Sequence, residues 1–297
     1  MEKGMLTTPE ICQETIQIGI KKGVKTMFYQ TLILATLAGA FIAFGSFVSM
    51  VGSHGISNYG LSKFVAGALF PVGLVLVLVC GAELFTGNTL LIQAYMEKEI
   101  TLFQFVKNLV TVYVGNFIGA FMIAVLIYLS GLLLGNDVKL GAYVIKVAAY
   151  KGSLTFMNAL ASGILCNFLV CLAVWGSYAA KDVAGKILIV WVTIMTFITS
   201  GFEHSVANMY YFSIGILAKL DPRILASSHL PVDKINSVNI WNAIGNIIPV
   251  TIGNIIGGML LVGLAYWFVF VRIPKNQDGI KKSKEDVCES ENDKIRA

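Results

Sequence analysis

Two of the long apolar stretches in this chain are interrupted near their middles by the same polar phrase, and that repetition restricts the fold more than anything else in the sequence. The stretch 62–96 contains Gly81-Ala-Glu-Leu-Phe-Thr-Gly-Asn88, and 187–218 contains Gly201-Phe-Glu-His-Ser-Val-Ala-Asn208. Both read G-x-E-x-x-x-x-N. Four further stretches, 27–51, 104–134, 153–178 and 241–271, are predominantly apolar and long enough for the roughly 20 residues that a bilayer crossing takes. Charged residues make up only 13% of the chain, about half their usual share in a water-soluble domain. Lipid is the solvent that such a surface fits.

A carboxylate and a histidine at membrane depth are expensive to bury and point to a functional site. Glycine at each interruption supplies the backbone freedom that an unwound segment needs. Unwound backbone survives inside a membrane only where protein or a watery cavity satisfies it. The third span carries Gly115-Asn-Phe-Ile-Gly119 and the sixth carries Gly253-Asn-Ile-Ile-Gly257, glycine steps that let helices approach closely. Spans two and three therefore pair with spans five and six. Each half holds three spans, an odd number, so the two halves lie in opposite orientations. The expected fold is an all-α membrane protein of six transmembrane helices, arranged as two inverted three-helix repeats with helices 2 and 5 broken.

The flanks divide the chain into a cytoplasmic amphipathic segment (1–26), a channel domain (27–271) and a charged cytoplasmic tail (272–297). In the first, Thr8 serves as N-cap and Pro9 takes the first helical position. Ile11, Ile16 and Ile20 follow at roughly helical spacing, which suits a helix lying on the membrane surface or a gate beneath a pore. The tail is poor in apolar residues and is expected to be disordered. About fifteen of the 22 lysines and arginines fall on the side of the termini, which makes that side cytoplasmic. Trp175, Trp191, Trp241 and Trp267 fall near span ends, as interfacial tryptophans do. Cys12, Cys80, Cys166, Cys171 and Cys288 form no CxxC pair and are read as reduced and structural. His54, His204 and His229 are too far apart for a local metal motif, so neither metal nor cofactor is expected. A net charge of +5 without a compact basic stripe gives no support for nucleic-acid binding.

Several segments together resemble the formate/nitrite transporter family. They are Leu78-Val-Cys-Gly-Ala-Glu-Leu-Phe-Thr-Gly87, Gly163-Ile-Leu-Cys-Asn-Phe-Leu-Val-Cys-Leu-Ala173, Gly201-Phe-Glu-His-Ser-Val-Ala-Asn-Met209 and Ile248-Pro-Val-Thr-Ile-Gly-Asn-Ile-Ile-Gly257. The likeness runs from about residue 8 to 272 and is nearest to the formate channels. It implies an aquaporin-like protomer with its own pore, assembled as a homopentamer in the plasma membrane. By the same resemblance, Thr86 and His204 face each other across the pore. Leu74 and Leu84 form the cytoplasmic constriction, and Phe70 and Phe197 the periplasmic one. Lys151, Asn167 and Glu203 make a polar network behind the histidine, and Asn254 donates a hydrogen bond into the pore.

Side-chain chemistry suggests how such a pore works. A bare carboxylate entering an apolar ring costs tens of kcal/mol in the idealised Born limit. Protonating it first, about three pH units above a pKa near 4, costs roughly 4 kcal/mol. The expectation is that Lys151 draws in the anion, Glu203 offsets the lysine charge, Thr86 hydrogen-bonds the solute, and His204 or nearby water supplies a proton. Formate leads as substrate, with nitrite and hydrosulfide as alternatives. A membrane enzyme fits poorly, because Ser205 and His204 are adjacent in the chain and no acid completes a triad. A water or glycerol channel lacks its paired Asn-Pro-Ala motifs.

Overall fold

The computed structural model describes residues 5–275. The chain is a multi-pass membrane protein. Six helices are long and apolar enough to cross a bilayer: Phe28–Ser53, Tyr59–Val79, Leu102–Leu129, Phe156–Ala179, Val183–Ser200 and Ile240–Lys275. The shorter apolar helices Phe85–Asn88 and Ile92–Met96 continue the second span, and Ser205–Ala218 continues the fifth. Large apolar side chains such as Ile33, Val110 and Leu188 stand exposed along the spans. That is the pattern expected where lipid or neighbouring subunits, not water, meet the surface.

Both expected helix breaks are present. Gly81 and Gly201 adopt φ of +80° and +78°, the left-handed region that side chains other than glycine rarely enter. The following N–H groups turn back to cap the helix just ended: Ala82 N donates to Val77 O at 2.8 Å and Phe202 N to Phe197 O at 3.1 Å. A second deviation lies within span two, where Pro71 follows Phe70 between Tyr59–Leu69 and Val72–Val79. Proline cannot donate to the helix ladder and bends it there.

Close packing of backbone on backbone holds the spans together. A Cβ added at Gly119 would collide with the Thr36 backbone of span one, and one at Gly257 with the Ile164 backbone of span four. Gly39 lies equally hard against Asn116, and Gly253 against Leu160. Spans one and three thus pack as spans four and six do.

Each half also carries an amphipathic helix ahead of its spans. Thr8–Ile20 precedes the first. Lys139–Gly152 precedes the fourth and buries Leu140, Val144, Ile145, Ala148 and Ala149. The first helix starts one residue earlier than expected. Its N-cap is Thr7, whose N–H donates to Glu10 Oε2 at 2.7 Å. Its apolar face is not left for lipid: Ile11, Cys12 and Ile16 are buried, Gly19 abuts Ala94, and Cys12 reaches the Tyr266 carbonyl.

Three of the tryptophans expected at the interface are held by protein. Trp175 is buried against Tyr266 at 4.4 Å between ring centroids, and Trp191 donates to Ala68 O. Trp267 and Lys275 both bond Glu97, tying the last span to the connection after span two. Partial burial pushes the Glu97 carboxyl up, but hydrogen bonds from Lys275 and Trp267 and the charges of Lys275 and Arg272 outweigh it and hold it below its ordinary value. This anchor therefore contributes its full stability above the ordinary carboxylate value and loses it as pH falls below that value and through the lowered folded one. Cys12, Cys80, Cys166 and Cys171 are free thiols. Cys288 and the tail from residue 276 lie outside the described residues.

Gly119→Ala and Gly257→Ala should each lower the thermal midpoint of the detergent-solubilised protein, by an overpacking cost of about 1–3 kcal/mol. Gly245→Ala, which faces open space, should leave it unchanged or raise it. Fluorescence-detected size exclusion after heating reads all three.

Candidate functional site

The site is assembled where the two breaks meet. Each break leaves a helix N-terminus whose first N–H has no partner inside its own helix. An asparagine from another span fills that gap twice. Asn116 Oδ1 accepts from Phe85 N at 2.9 Å while its Nδ2 donates to the carbonyls of Ala35 and Glu83. Asn254 Oδ1 accepts from Ser205 N at 2.9 Å while its Nδ2 donates to the carbonyls of Gly163 and Glu203. The N–H groups of Glu83 and Glu203 reach sideways to Leu34 O and Ser162 O. Asn254 is thus a strut, not a donor into the pore as resemblance implied, because both of its amide groups are occupied by backbone.

The carboxylates of the repeated phrase are held in matching fashion. Lys151 Nζ lies 2.8 Å from Glu203 Oε1, and Asn208 Nδ2 donates to Glu203 Oε2 at 2.6 Å and to Asn246 Oδ1 at 2.7 Å. Asn246 Nδ2 in turn donates to Lys151 O. In the other half Lys22 Nζ lies 3.1 Å from Glu83 Oε2, Asn88 Nδ2 donates to Glu83 Oε2 and Asn108 Oδ1, and Asn108 Nδ2 donates to Lys22 O. Sequence reasoning missed Lys22, Asn108, Asn116 and Asn246 as site residues. The repeated phrase and the Gly-Asn-x-x-Gly steps could have flagged Asn116. Nothing in linear spacing marks Lys22, which reaches its carboxylate from outside the spans.

Thr86 and His204 meet at the centre, with Thr86 Oγ1 2.9 Å from His204 Nε2. Both are buried. His204 also caps the helix it begins, its Nδ1 accepting from Ala207 N at 3.1 Å. A backbone N–H can only donate, so Nδ1 carries no proton and the imidazole proton of this neutral tautomer is on Nε2. Nε2–H therefore donates to Thr86 Oγ1, which leaves the threonine hydroxyl proton free to turn toward a solute. The Thr86 carbonyl accepts from Thr89 Oγ1 at 2.7 Å, Asn167 Nδ2 at 3.2 Å and Cys171 Sγ at 3.3 Å. Asn167 lies behind Thr86, joined to Asn254 O at 2.6 Å, and bonds to neither Lys151 nor Glu203, so it stands apart from the network that resemblance implied.

Apolar side chains close around this pair. Phe70, Leu74, Leu84 and Phe197 are all at most 3% exposed. Phe70 and Phe197 meet edge to face at 5.6 Å, and Phe197 lies 6.1 Å from the His204 ring. On the face away from the termini a cavity of about 360 Å³ opens toward the centre. Lys63, Lys146, Lys151, Phe202, Glu203 and His204 are among its lining residues.

Ser205 Oγ has no hydrogen-bond partner and both His204 nitrogens are engaged elsewhere, so Ser205 and His204 are not paired with each other. Among the described residues no cluster of three His, Cys, Asp or Glu side chains could hold a metal ion.

Residues 9–268 match the family model described as "Formate/nitrite transporter". The chain is 39% identical over 261 residues to the formate channel FocA of Escherichia coli K12, covering 86% of this chain and 91% of the relative. It is 35% identical to a probable formate transporter of Methanothermobacter thermautotrophicus, covering 82% and 89%. Among solved structures, one described as a pentameric formate channel with formate bound superposes with a TM-score of 0.75 at 30% identity, over 84% of this chain and 99% of that one.

Glu203→Ala would leave the Lys151 ammonium buried without its carboxylate. It should destabilise the detergent-solubilised protein by about 3–5 kcal/mol, whereas replacing Lys151 and Glu203 together by Met should recover at least half of that. Thermal midpoints of the three proteins check this.

Proposed function

The chain belongs to the formate/nitrite transporter family, and we propose that each protomer is a pore for small monovalent anions, formate foremost. The observation that carries this reading is the central Thr86–His204 bond. The pair is buried, as are Phe70, Leu74, Leu84 and Phe197, and in this reading those four apolar side chains wall the passage into which the Thr86 hydroxyl donates. Nitrite and hydrosulfide share formate's size, charge and ability to take a proton, and are the alternative cargoes. The assembly is a homopentamer, as the name of the solved relative says of that channel. The protein sits in the plasma membrane with both termini cytoplasmic, the orientation that its lysine and arginine distribution favours. Its two halves are inverted repeats around the paired breaks, a reading supported by the asparagine and lysine–carboxylate bonds that recur in both. It is a conduit and not an enzyme.

A formate ion enters the vestibule opposite the termini, where Lys151 offers positive potential tempered by Glu203. Apolar walls beyond this point provide no ligands for a charge. The ion takes a proton before passing the phenylalanines, because roughly 4 kcal/mol of protonation is far below the cost of a bare charge in an apolar slit. Thr86 Oγ1–H then hydrogen-bonds the carbonyl oxygen of the neutral acid, and Lys22 and Glu83 receive it on the far side.

The tautomer of His204 bears on where the proton comes from. Its only proton, on Nε2, already bonds Thr86, and loading a second at Nδ1 would break the cap to Ala207. His204 therefore serves as the donor that orients Thr86, and water in the vestibule supplies the proton.

Formate uptake into proteoliposomes should rise several-fold as external pH drops from 7.5 to 5.5, because the fraction of conjugate acid at the mouth rises. His204→Asn keeps an acceptor for the Ala207 N–H and should retain that slope at a lower absolute rate. Loss of the slope in that variant would return the proton-donor role to the histidine. Parallel assays with nitrite and hydrosulfide rank the cargoes, and light scattering of the purified complex should give five copies.

A further inference from the structure

The vestibule opposite the termini holds more positive charge than its known elements use. Three lysines line it and one carboxylate, Glu203. Both oxygens of Glu203 are taken, Oε1 by Lys151 at 2.8 Å and Oε2 by Asn208 at 2.6 Å. Neither oxygen lies within ion-pair distance of Lys63 or of Lys146 at the rim. Among the described residues neither lysine has an ion-pair partner, and the Lys63 ammonium stands 5.7 Å from the centre of the Tyr59 ring.

The placement of Lys63 argues against a lysine that merely snorkels. Snorkelling carries the ammonium outward to water and headgroups. Lys63 is half-buried and turned inward, its Nζ 3.6 Å from where a Cβ on Gly201 would stand. It thus sits over the break that leads to His204. The carbonyl end of Val183–Ser200 lies beside it and offsets part of a charge, but only part. The fold does not require a cation there. In the register that aligns Glu83 with Glu203, the residue equivalent to Lys63 is Val183, and the break at Gly81 forms without a lysine in that place.

We propose that Lys63, with Lys146 and the flanking Tyr59 and Tyr143 hydroxyls, forms a capture site for small monovalent oxyanions in this vestibule, distinct from the central Thr86–His204 pair. The site takes the anion in its charged form and holds it one step before the apolar constriction. A low-dielectric cleft lined by one sign of charge concentrates counter-ions in this way, and the effect fades with added salt.

The inference rests on the anion-channel reading, and the assay separates the two. Formate flux is measured in vesicles of uniform orientation at low ionic strength, with formate presented in turn from each face. Lys63→Gln should raise the half-saturating concentration about fivefold when formate arrives on the vestibule side. Half-saturation from the opposite face should not move. Lys63→Arg should restore the wild-type value, and about 0.5 M of an impermeant salt should erase the difference between wild type and Lys63→Gln. Equal half-saturation in wild type and Lys63→Gln would overturn the capture site while leaving the channel intact. A shift of equal size from both faces that arginine does not rescue would overturn it too, by showing general damage. Wild-type vesicles no leakier to formate than protein-free ones would refute the channel reading and this site with it.

Discussion

The structure depends on finding partners for main-chain groups at two places where helices stop inside a membrane. Water cannot reach an orphaned N–H there, and leaving one unpaired costs several kcal/mol. Asn116 and Asn254 meet that demand, each accepting from the first N–H of a resumed helix and donating to carbonyls of the facing strand of chain. With those bonds in place, non-helical backbone becomes tolerable at depth. Only then can Thr86 and His204 meet at the junction of the two breaks.

The two halves share a scaffold and differ where the chemistry lies. Glu83 with Lys22 and Asn88 repeats as Glu203 with Lys151 and Asn208. Within the aligned phrases, however, His204 stands where the first half has Leu84, and Thr86 where the second has Val206. On spans one and four, the register set by Leu34 and Ser162 puts Asn167 opposite Gly39. The bond between Thr86 and His204, and its buttress from Asn167, are therefore departures from symmetry on a symmetric frame. One half contributes the hydroxyl, the other the imidazole. A pore equal in both halves would have no such donor pair.

Charge distribution follows the same division of labour. Each lysine–carboxylate pair is buried or nearly so and is braced by an asparagine, which makes it a fixed dipole and not a free charge. Such pairs contribute little net stability, but they hold an ammonium beside a path without sacrificing its potential entirely. Phe70, Leu74, Leu84 and Phe197 are buried and offer no ligand to a charge. On the reading proposed above, that combination favours a solute able to change its own charge.

From the sequence came the class of protein, the six crossings, the two interruptions and the pairing of halves, because hydropathy and the repeated phrase are local or strictly periodic signals. Gly81 and Gly201 were legible as hinge points for the same reason. Family likeness, and not periodicity, singled out Thr86, Lys151 and the four constriction residues. Other features were decided only by three-dimensional packing. Lys22 joins Glu83 across 61 positions in the chain, and Lys151 joins Glu203 across 52, so no constant spacing announces the pair. The amphipathic helix Lys139–Gly152 is short and surrounded by turns, and its role shows only when it delivers Lys151. Asn254 was placed in the pore by family likeness; backbone geometry, which sequence does not display, gives both of its groups to the main chain. Hydrogen-bond direction is likewise a tertiary property: which nitrogen of His204 carries the proton is fixed by an N–H three residues onward, and only the fold brings Thr86 to the other side of the ring.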